Sequence, residues 1–380
     1  MMAKLGDVCT IVSGTTPKTS VSEYWDGDIN WITPAELNED TVVINESKRK
    51  ITKAGVNSCG LSPFPAGTVI LSSRAPIGKT AIAGTEMYCN QGFKNLICSD
   101  KIHNKYLFWF LRSKTEMLNS LGRGATFKEI SKSIVENIEI PLPDISEQRR
   151  IADTLDKVSE GIEVCRKMVD ELDLMVKAKF GEMFGDPVSN EREWNVETLN
   201  DVCTEIGDGL HGTPEYDDNG EYPFINGNNL INGAIEITPA TKKVNAEIYK
   251  KHYIDISANA LLLSINGTLG KLAFYNGEKV MLGKSACYCN FKPEINRAFV
   301  YGVMKTEAFA GFLEKSATAS TIKNVGLKAI RGYKLIMPPQ ALQMQFIEFS
   351  NQVDKSKLAV KQSLEKLETL KKSLMQEYLG

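Results

Sequence analysis

The chain has 380 residues, enough for two or three domains of ordinary size, each with its own core. Hydrophobic and charged contents of 42% and 24% exclude a disordered chain, and apolar runs such as Ala260 to Leu263 fall far short of the ~20 residues of a membrane helix. A net charge of −2 counts against a solitary nucleic-acid binder, and less against a subunit whose partners also grip phosphate.

The opening stretch, Met1 to Asp7, lacks the apolar segment of a secretion signal, and the eight cysteines contain no C-x-x-C pair. Both features lead to the expectation of a cytoplasmic protein with reduced thiols. Residues 1–145 are broken by Gly, Pro, Asn and Asp around short β-branched runs such as Thr41 to Ile44 and Gly67 to Leu71. A helical patch, Lys105 to Arg112, interrupts them, which predicts a mixed α+β domain. After Pro143 the punctuation nearly vanishes and residues 146–186 read as one long helix. Asp144 is its expected N-cap, and Gly185-Asp186-Pro187 its stop. Ile151, Leu155, Val158, Ile162, Cys165, Val169, Leu172 and Val176 alternate spacings of four and three, the seam of a helix lying along another helix. A second α+β domain is expected over 187–340, and a second long helix over 341–380. Its seam runs Phe346, Phe349, Val353, Val360, Leu364, Leu367 and Leu374, interrupted by Ser356, Lys357 and Lys371.

The chain is one unit written twice. Leu5 to Thr10 returns as Leu199 to Thr204, 194 positions later. Gly14-Thr15-Thr16-Pro17 is echoed by Gly212-Thr213-Pro214, and Asn30-Trp31-Ile32 by Pro223-Phe224-Ile225. Leu71-Ser72 leading into Ile77-Gly78-Lys79 matches Leu263-Ser264 leading into Leu269-Gly270-Lys271. Lys114-Thr115-Glu116 returns as Lys305-Thr306-Glu307, and Ile140-Pro141-Leu142-Pro143 as Ile336-Met337-Pro338-Pro339. Each copy is therefore a whole domain with a helical appendage. Two apolar stripes of this length bury themselves most economically against each other, as an antiparallel coiled coil. Such a frame would hold two globular domains about a pseudo-twofold axis, an arrangement suited to paired DNA half-sites.

On these residues the chain resembles the specificity subunit of type I restriction–modification systems over essentially its whole length. The resemblance is carried by Gly14 to Pro17, Trp25 to Trp31, Arg74 to Gly78, Asn90-Gln91-Gly92 and Ile140 to Pro143. It continues through Glu147 to Ile151, Phe180, Met183 to Pro187 and Leu364 to Gly380. The departures are Ala75-Pro76 after Arg74, no arginine in the matching Asn266-Gly267-Thr268, and Leu342-Gln343 in place of Glu147-Gln148. The resemblance implies two target-recognition domains reading the halves of a split double-stranded DNA site, with helices setting the gap. It further implies two methyltransferase subunits, which bind S-adenosylmethionine, and a restriction/translocase subunit. The chain itself is expected to need no cofactor, to bind no metal and to lie free of the membrane.

DNA contacts are expected from repeat-matched polar loops, because readout needs hydrogen-bonding side chains. In the first domain these are Thr15, Thr16, Lys18, Ser72, Ser73, Arg74, Lys79, Asn90, Gln91, Lys94, Arg123 and Thr126. In the second they are His211, Thr213, Asn226, Asn228, Asn229, Ser264, Asn266, Thr268, Lys271, Lys284, Ser285, Thr318 and Thr321. The same residue types also fill ordinary turns. Trp31, Phe224 and Tyr106 to Phe110 are expected in the core rather than stacked on bases. The loops diverge between copies, from Arg74 against Asn266 to Gln91 against Leu282.

No catalytic residue is expected. Gly78-Lys79-Thr80 resembles the tail of a phosphate loop, but Ser73 stands where its first glycine belongs. Met337-Pro338-Pro339-Gln340 lacks the polar residue and ring of a methyltransferase loop. Cys287 and Cys289 with His252 make a poor metal set. An alternative reading is a binding protein for another ligand, such as a glycan, with a helical dimerisation arm. An enzyme with an unrecognised site is the third.

Overall fold

A computed structural model describes residues 1–38, 41–74, 76–123 and 128–380. The chain folds as two compact units, Met1–Lys167 with Val360–Gly380, and Met168–Ala359. Each unit takes one end of each long helix, so these divisions fall elsewhere than the expected 145/146, 186/187 and 340/341 boundaries. The helices themselves span Ile145–Phe184 and Gln340–Leu379, close to expectation.

In the first unit a five-stranded sheet runs in the order Cys9–Ser13, Lys94–Cys98, Val69–Leu71, Thr80–Ala83, Val43–Ile44. A three-stranded sheet places Trp25–Ile32 between Lys50–Ile51 and Tyr88–Cys89. Val69-Ile70-Leu71 is wholly apolar because the sheet is covered on both faces. Val69 and Leu71 enter one core with Leu107 and Trp109, and Ile70 enters another with Phe64 and Met87. The second unit repeats this, with Leu261 and Leu263 on one face and Ala260 and Leu262 on the other. Its four-stranded sheet runs Cys203–Asp208, Ala286–Phe291, Ala260–Ser264, Leu272–Phe274. The expected helical patch is the helix Asn104–Ser113, with Tyr106 to Leu111 all buried. Trp31 and Phe224 are buried too, as expected. Buried thiols such as Cys89, which burial pushes up to about 12, belong to this packing.

Each proline-flanked segment pairs with the start of its own copy, Glu139–Pro141 with Met2–Lys4 and Lys334–Met337 with Asn195–Thr198, both antiparallel. A buried glutamine then anchors each long helix. Gln148 Nε2 donates to the carbonyls of Lys101 and Pro143, and its Oε1 accepts from His103 N at 2.8 Å. Gln343 Nε2 donates to Pro338 O at 2.8 Å. Asp144 caps the first helix as expected, its Oδ1 accepting from Glu147 N at 2.9 Å.

Within each unit the two helices run antiparallel. In the first, Leu367 packs 3.3 Å from where a Cβ on Gly161 would stand, Arg166 pairs with Glu368 at 2.9 Å, and Arg150 lies over the Tyr378 ring. In the second, Phe180 meets Phe346 with ring centres 5.4 Å apart, and Lys179 lies over Phe349. Ile151, Leu155, Ile162 and Val353 are buried on the seam. Val158, Val169, Leu172, Val176, Val360, Leu364, Leu367 and Leu374 are half-buried along it. No helix among the described residues is long and apolar enough to cross a membrane.

Candidate nucleic-acid interface

The expected contact residues gather at the loops that close the central strands of each unit. The hairpin after Val69–Leu71 is held by one serine. Ser72 Oγ donates to Pro76 O at 2.7 Å and accepts from Lys79 N at 2.9 Å, while Gly78 N donates to Ser72 O at 3.0 Å. Ser264 does the same in the second unit, donating to Thr268 O at 2.7 Å and accepting from Lys271 N at 2.8 Å, with Gly270 N donating to its carbonyl at 3.0 Å. Gly78 (φ +95°) and Gly270 (φ +79°) turn the chain through the left-handed region, which a side chain would strain.

Beside this hairpin lies the loop that follows the first strand. Thr15 N donates to Cys89 O at 3.1 Å, and Trp31 Nε1 donates to Thr15 O at 3.1 Å. Thr16 Oγ1 then donates to Gln91 Oε1 at 2.6 Å, joining two of the expected contact loops. In the second unit Leu210 N donates to Leu282 O at 2.8 Å and Lys284 N to Leu210 O at 3.0 Å. The bonds therefore set Thr15 against Leu210, Cys89 against Leu282 and Gln91 against Lys284. This corrects the pairing of Gln91 with Leu282. It also sets Gly14 against Gly209 rather than Gly212. A Cβ on Gly14 would stand 1.9 Å from Cys89 O, and one on Gly209 2.1 Å from Leu282 O, so both are needed for the same close approach. The offset changes because a β-bulge between Cys203 and Glu205 adds one residue to the second copy.

Burial separates the expected residues into two kinds. Ser72, Ser73 and Ser264 are fully buried, and Lys94 nearly so, with its Nζ 3.3 Å from both Ser73 Oγ and Glu129 Oε1. These four were expected to touch DNA; their side chains instead brace the loops from inside. Lys79 is half-buried, its Nζ donating to Leu37 O at 2.6 Å, and Asn90 Oδ1 accepts from Gly92 N within its own turn. Asn226 and Ser285 bond each other at 2.9 Å, and Asn229 holds Glu236 O, so all three organise a turn. Thr15, Lys18, Arg74, Gln91 and Arg123 are exposed in the first unit, and Thr16 is half-buried. Thr126 lies outside the described residues. In the second unit His211, Thr213, Asn228, Thr268, Lys284, Thr318 and Thr321 are exposed, with Asn266 and Lys271 half-buried. A cleft of about 480 Å³ is lined by Asp208, His211, Asn266, Lys284 and Asn324. His211 Nε2 and Asp208 Oδ2 stand 2.8 Å apart there.

Sequence reasoning missed a basic strand edge. Lys48, Arg49 and Lys50 lead into the strand beside Trp25–Ile32, and Arg49 stacks 3.8 Å above the Trp25 ring. Lys242 and Lys243 stand at the matching place beside Tyr222–Ile225. Among the described residues none of these five is in an ion pair, so their charge is free for an anionic partner. The signal was present, since the basic run recurs 193 positions later. Among the described residues no group of three or more His, Cys, Asp or Glu is placed to hold a metal ion.

The family model described as type I restriction modification DNA specificity domain matches the chain twice, over 1–173 and 191–370. A type I restriction enzyme MjaIX specificity subunit from Methanocaldococcus jannaschii is 34% identical over 267 residues, 65% of this chain and 62% of that protein. The Escherichia coli type I restriction enzyme EcoR124I/EcoR124II specificity subunit is 27% identical over 160 residues, 40% of this chain and 39% of that one. The match thus spans less than two thirds of either relative. Two solved structures share the fold over the full chain. One is the S subunit of a type I restriction-modification system from M. genitalium, at TM-score 0.58 and 16% identity, with 96% of that chain covered. The other is a chain from a structure of type I R-M complex assembly, at TM-score 0.64 and 18% identity, with 97% covered.

Proposed function

Because this chain belongs to the type I restriction modification DNA specificity family, we propose that it is the sequence-reading subunit of a methylating complex, each unit reading one half of a bipartite DNA site. One observation carries the reading: the loop frame is built twice with the same backbone bonds, yet presents different polar groups, as two readers of different half-sites require. The unpaired bases at Lys48 to Lys50 and at Lys242 and Lys243 answer the objection from net charge, since they supply local phosphate contacts on an otherwise acidic chain.

In this reading the chain performs no chemistry. Two methyltransferase subunits bind S-adenosylmethionine and flip the target base, a restriction/translocase subunit joins them, and the complex works in the cytoplasm. The antiparallel helices dock those subunits and set the gap between half-sites. Membership of this family lends no support to a glycan-binding role. The experiment is co-expression with the methyltransferase subunit, followed by sequencing of modified bases in host DNA. One bipartite motif is expected. A reconstituted complex without sequence-restricted affinity for DNA would overturn the reading.

A further inference from the structure

We propose that Arg74 and Asn266 occupy one equivalent base-reading position in the two units and demand different bases there, guanine for the first and adenine for the second. The inference rests on the reading of each unit as a half-site reader. Both residues stand two places after the stapling serine of their hairpin. Each forms an isolated antiparallel bridge with the same distant segment, Arg74 with Glu129 and Asn266 with Asn324. The next bond along is also shared: Ile130 N donates to Ser73 O, and Val325 N to Ile265 O, both at 2.9 Å. The two backbones thus offer the same place to different side chains.

In the first unit that place is built for a guanidinium. Glu129 Oε2 accepts from Arg74 Nε at 2.9 Å, and Glu129 Oε1 faces the Nζ of Lys94, whose side chain is only 8% exposed. A buried cation fixes the carboxylate, and the carboxylate takes the arginine by its Nε edge. The two Nη groups are left as parallel donors on a side chain that is 44% exposed. That fork matches O6 and N7 of guanine in the major groove. In the second unit the whole charged set is replaced, with Asn324 for Glu129 and Cys287 for Lys94. Asn266 Nδ2 donates to Asn324 Oδ1 at 3.1 Å, which leaves Asn266 its Oδ1 acceptor and a second N–H donor facing the cleft. An acceptor and a donor on one amide match N6 and N7 of adenine. The lysine and the acid accompany the arginine and vanish with it, as expected if they serve to aim it.

The test is modified-base sequencing of DNA from a host carrying the whole complex with variant subunits. The native motif should hold a guanine in one half and an adenine in the other at the positions concerned. Arg74→Ala should relax that guanine alone, roughly tenfold or more, and Asn266→Ala that adenine alone. Arg74→Lys keeps a cation without the fork and should relax the same base, which covers a failure of the alanine variant to fold. Glu129→Gln, removing the positioning charge, should reproduce the Arg74 pattern and leave the other half-site untouched. A native half-site without guanine, relaxation at a different base, or a uniform loss with Glu129→Gln would overturn the assignment while leaving half-site reading intact. Absence of any defined motif with the native subunit would instead sink the reading on which it rests.

Discussion

The Nζ of Lys357 donates to both carboxylate oxygens of Asp173, at 2.6 Å to Oδ2, and so turns the interruption of the second helical seam into a tie between the helices. The lysine side chain is only 18% exposed, so its stem also fills the space an apolar residue would occupy. Lys357→Ala is expected to lower stability by about 1 kcal/mol, and Asp173→Asn by less. In a double-mutant cycle read by urea unfolding, a coupling of about 0.5 kcal/mol should shrink as salt rises. Zero coupling at low salt would reduce the pair to a coincidence of packing.

The stapling serines offer a sharper contrast. Ser264 is fully buried and makes both a donor and an acceptor bond inside its hairpin. Ser264→Ala leaves Lys271 N and Thr268 O without that partner, at a cost of about 1–3 kcal/mol. Ser72→Ala should match it in the first unit. With the proposed function, each variant should weaken methylation through its own half-site only, which half-site substitutions in a DNA substrate would detect.

The scaffold was legible in the sequence because it is carried by periodicity and punctuation. The a/d seam from Ile151 and the Asp144 cap fell where expected, whereas the proline pairs match one place off, Pro143 with Pro338 and Ile140 with Leu335. The register of the loops was not legible. Gly212-Thr213-Pro214 copies the letters of Gly14 to Pro17, whereas the backbone bonds and the close approach to Leu282 choose Gly209. Similar letters report side chains, and a bulge at Thr204 moves the strand from Glu205 to Asp208 one residue out of step with its counterpart from Thr10 to Ser13. Lys94 misled for a different reason: a lysine in a polar loop reads as a surface cation until its burial and its half-buried partner, Glu129, are seen.

The basic strand edge should behave as a phosphate contact. Arg49→Ala and Lys243→Ala are expected to weaken binding of the complex to all DNA sequences alike, leaving the methylated motif unchanged. Each should lower the dependence of log affinity on log salt by about one. A change of motif in either variant would move these residues into base readout.

Asp144 gives the first helix a pH dependence that the second lacks. Its carboxyl is held below the ordinary 3.8 by the Ser146 hydroxyl and the Glu147 N–H. A carboxyl depressed in the folded state contributes stability above its unfolded value, lost as pH falls through its folded one. Asp144→Ala should therefore lower the Tm at neutral pH, and the difference from wild type should fade below about pH 4. Pro339 stands at the matching place in the second copy, so no such acid-labile cap is expected there. A difference that persists at pH 2 would assign the effect to packing instead.

Leu379 and Phe184 close the two cores at matching places, 195 positions apart, and both are fully buried. Leu379 enters the core containing Leu107 and Trp109, whereas Phe184 enters the one containing Phe299 and Phe346. The last turn of the chain therefore completes the first unit, and the last turn of the first helix completes the second. Leu379→Ala should cost about 2–5 kcal/mol and Phe184→Ala about 3–5 kcal/mol, each through a cavity that helix packing cannot readily collapse. Hydrogen exchange locates the loss. Leu379→Ala should speed exchange at Leu107 to Leu111 and spare Phe299 to Val303, and Phe184→Ala should do the reverse. Equal loss in both segments from either variant would mean that the units unfold as one, and that the division of the helices between them carries no separate stability.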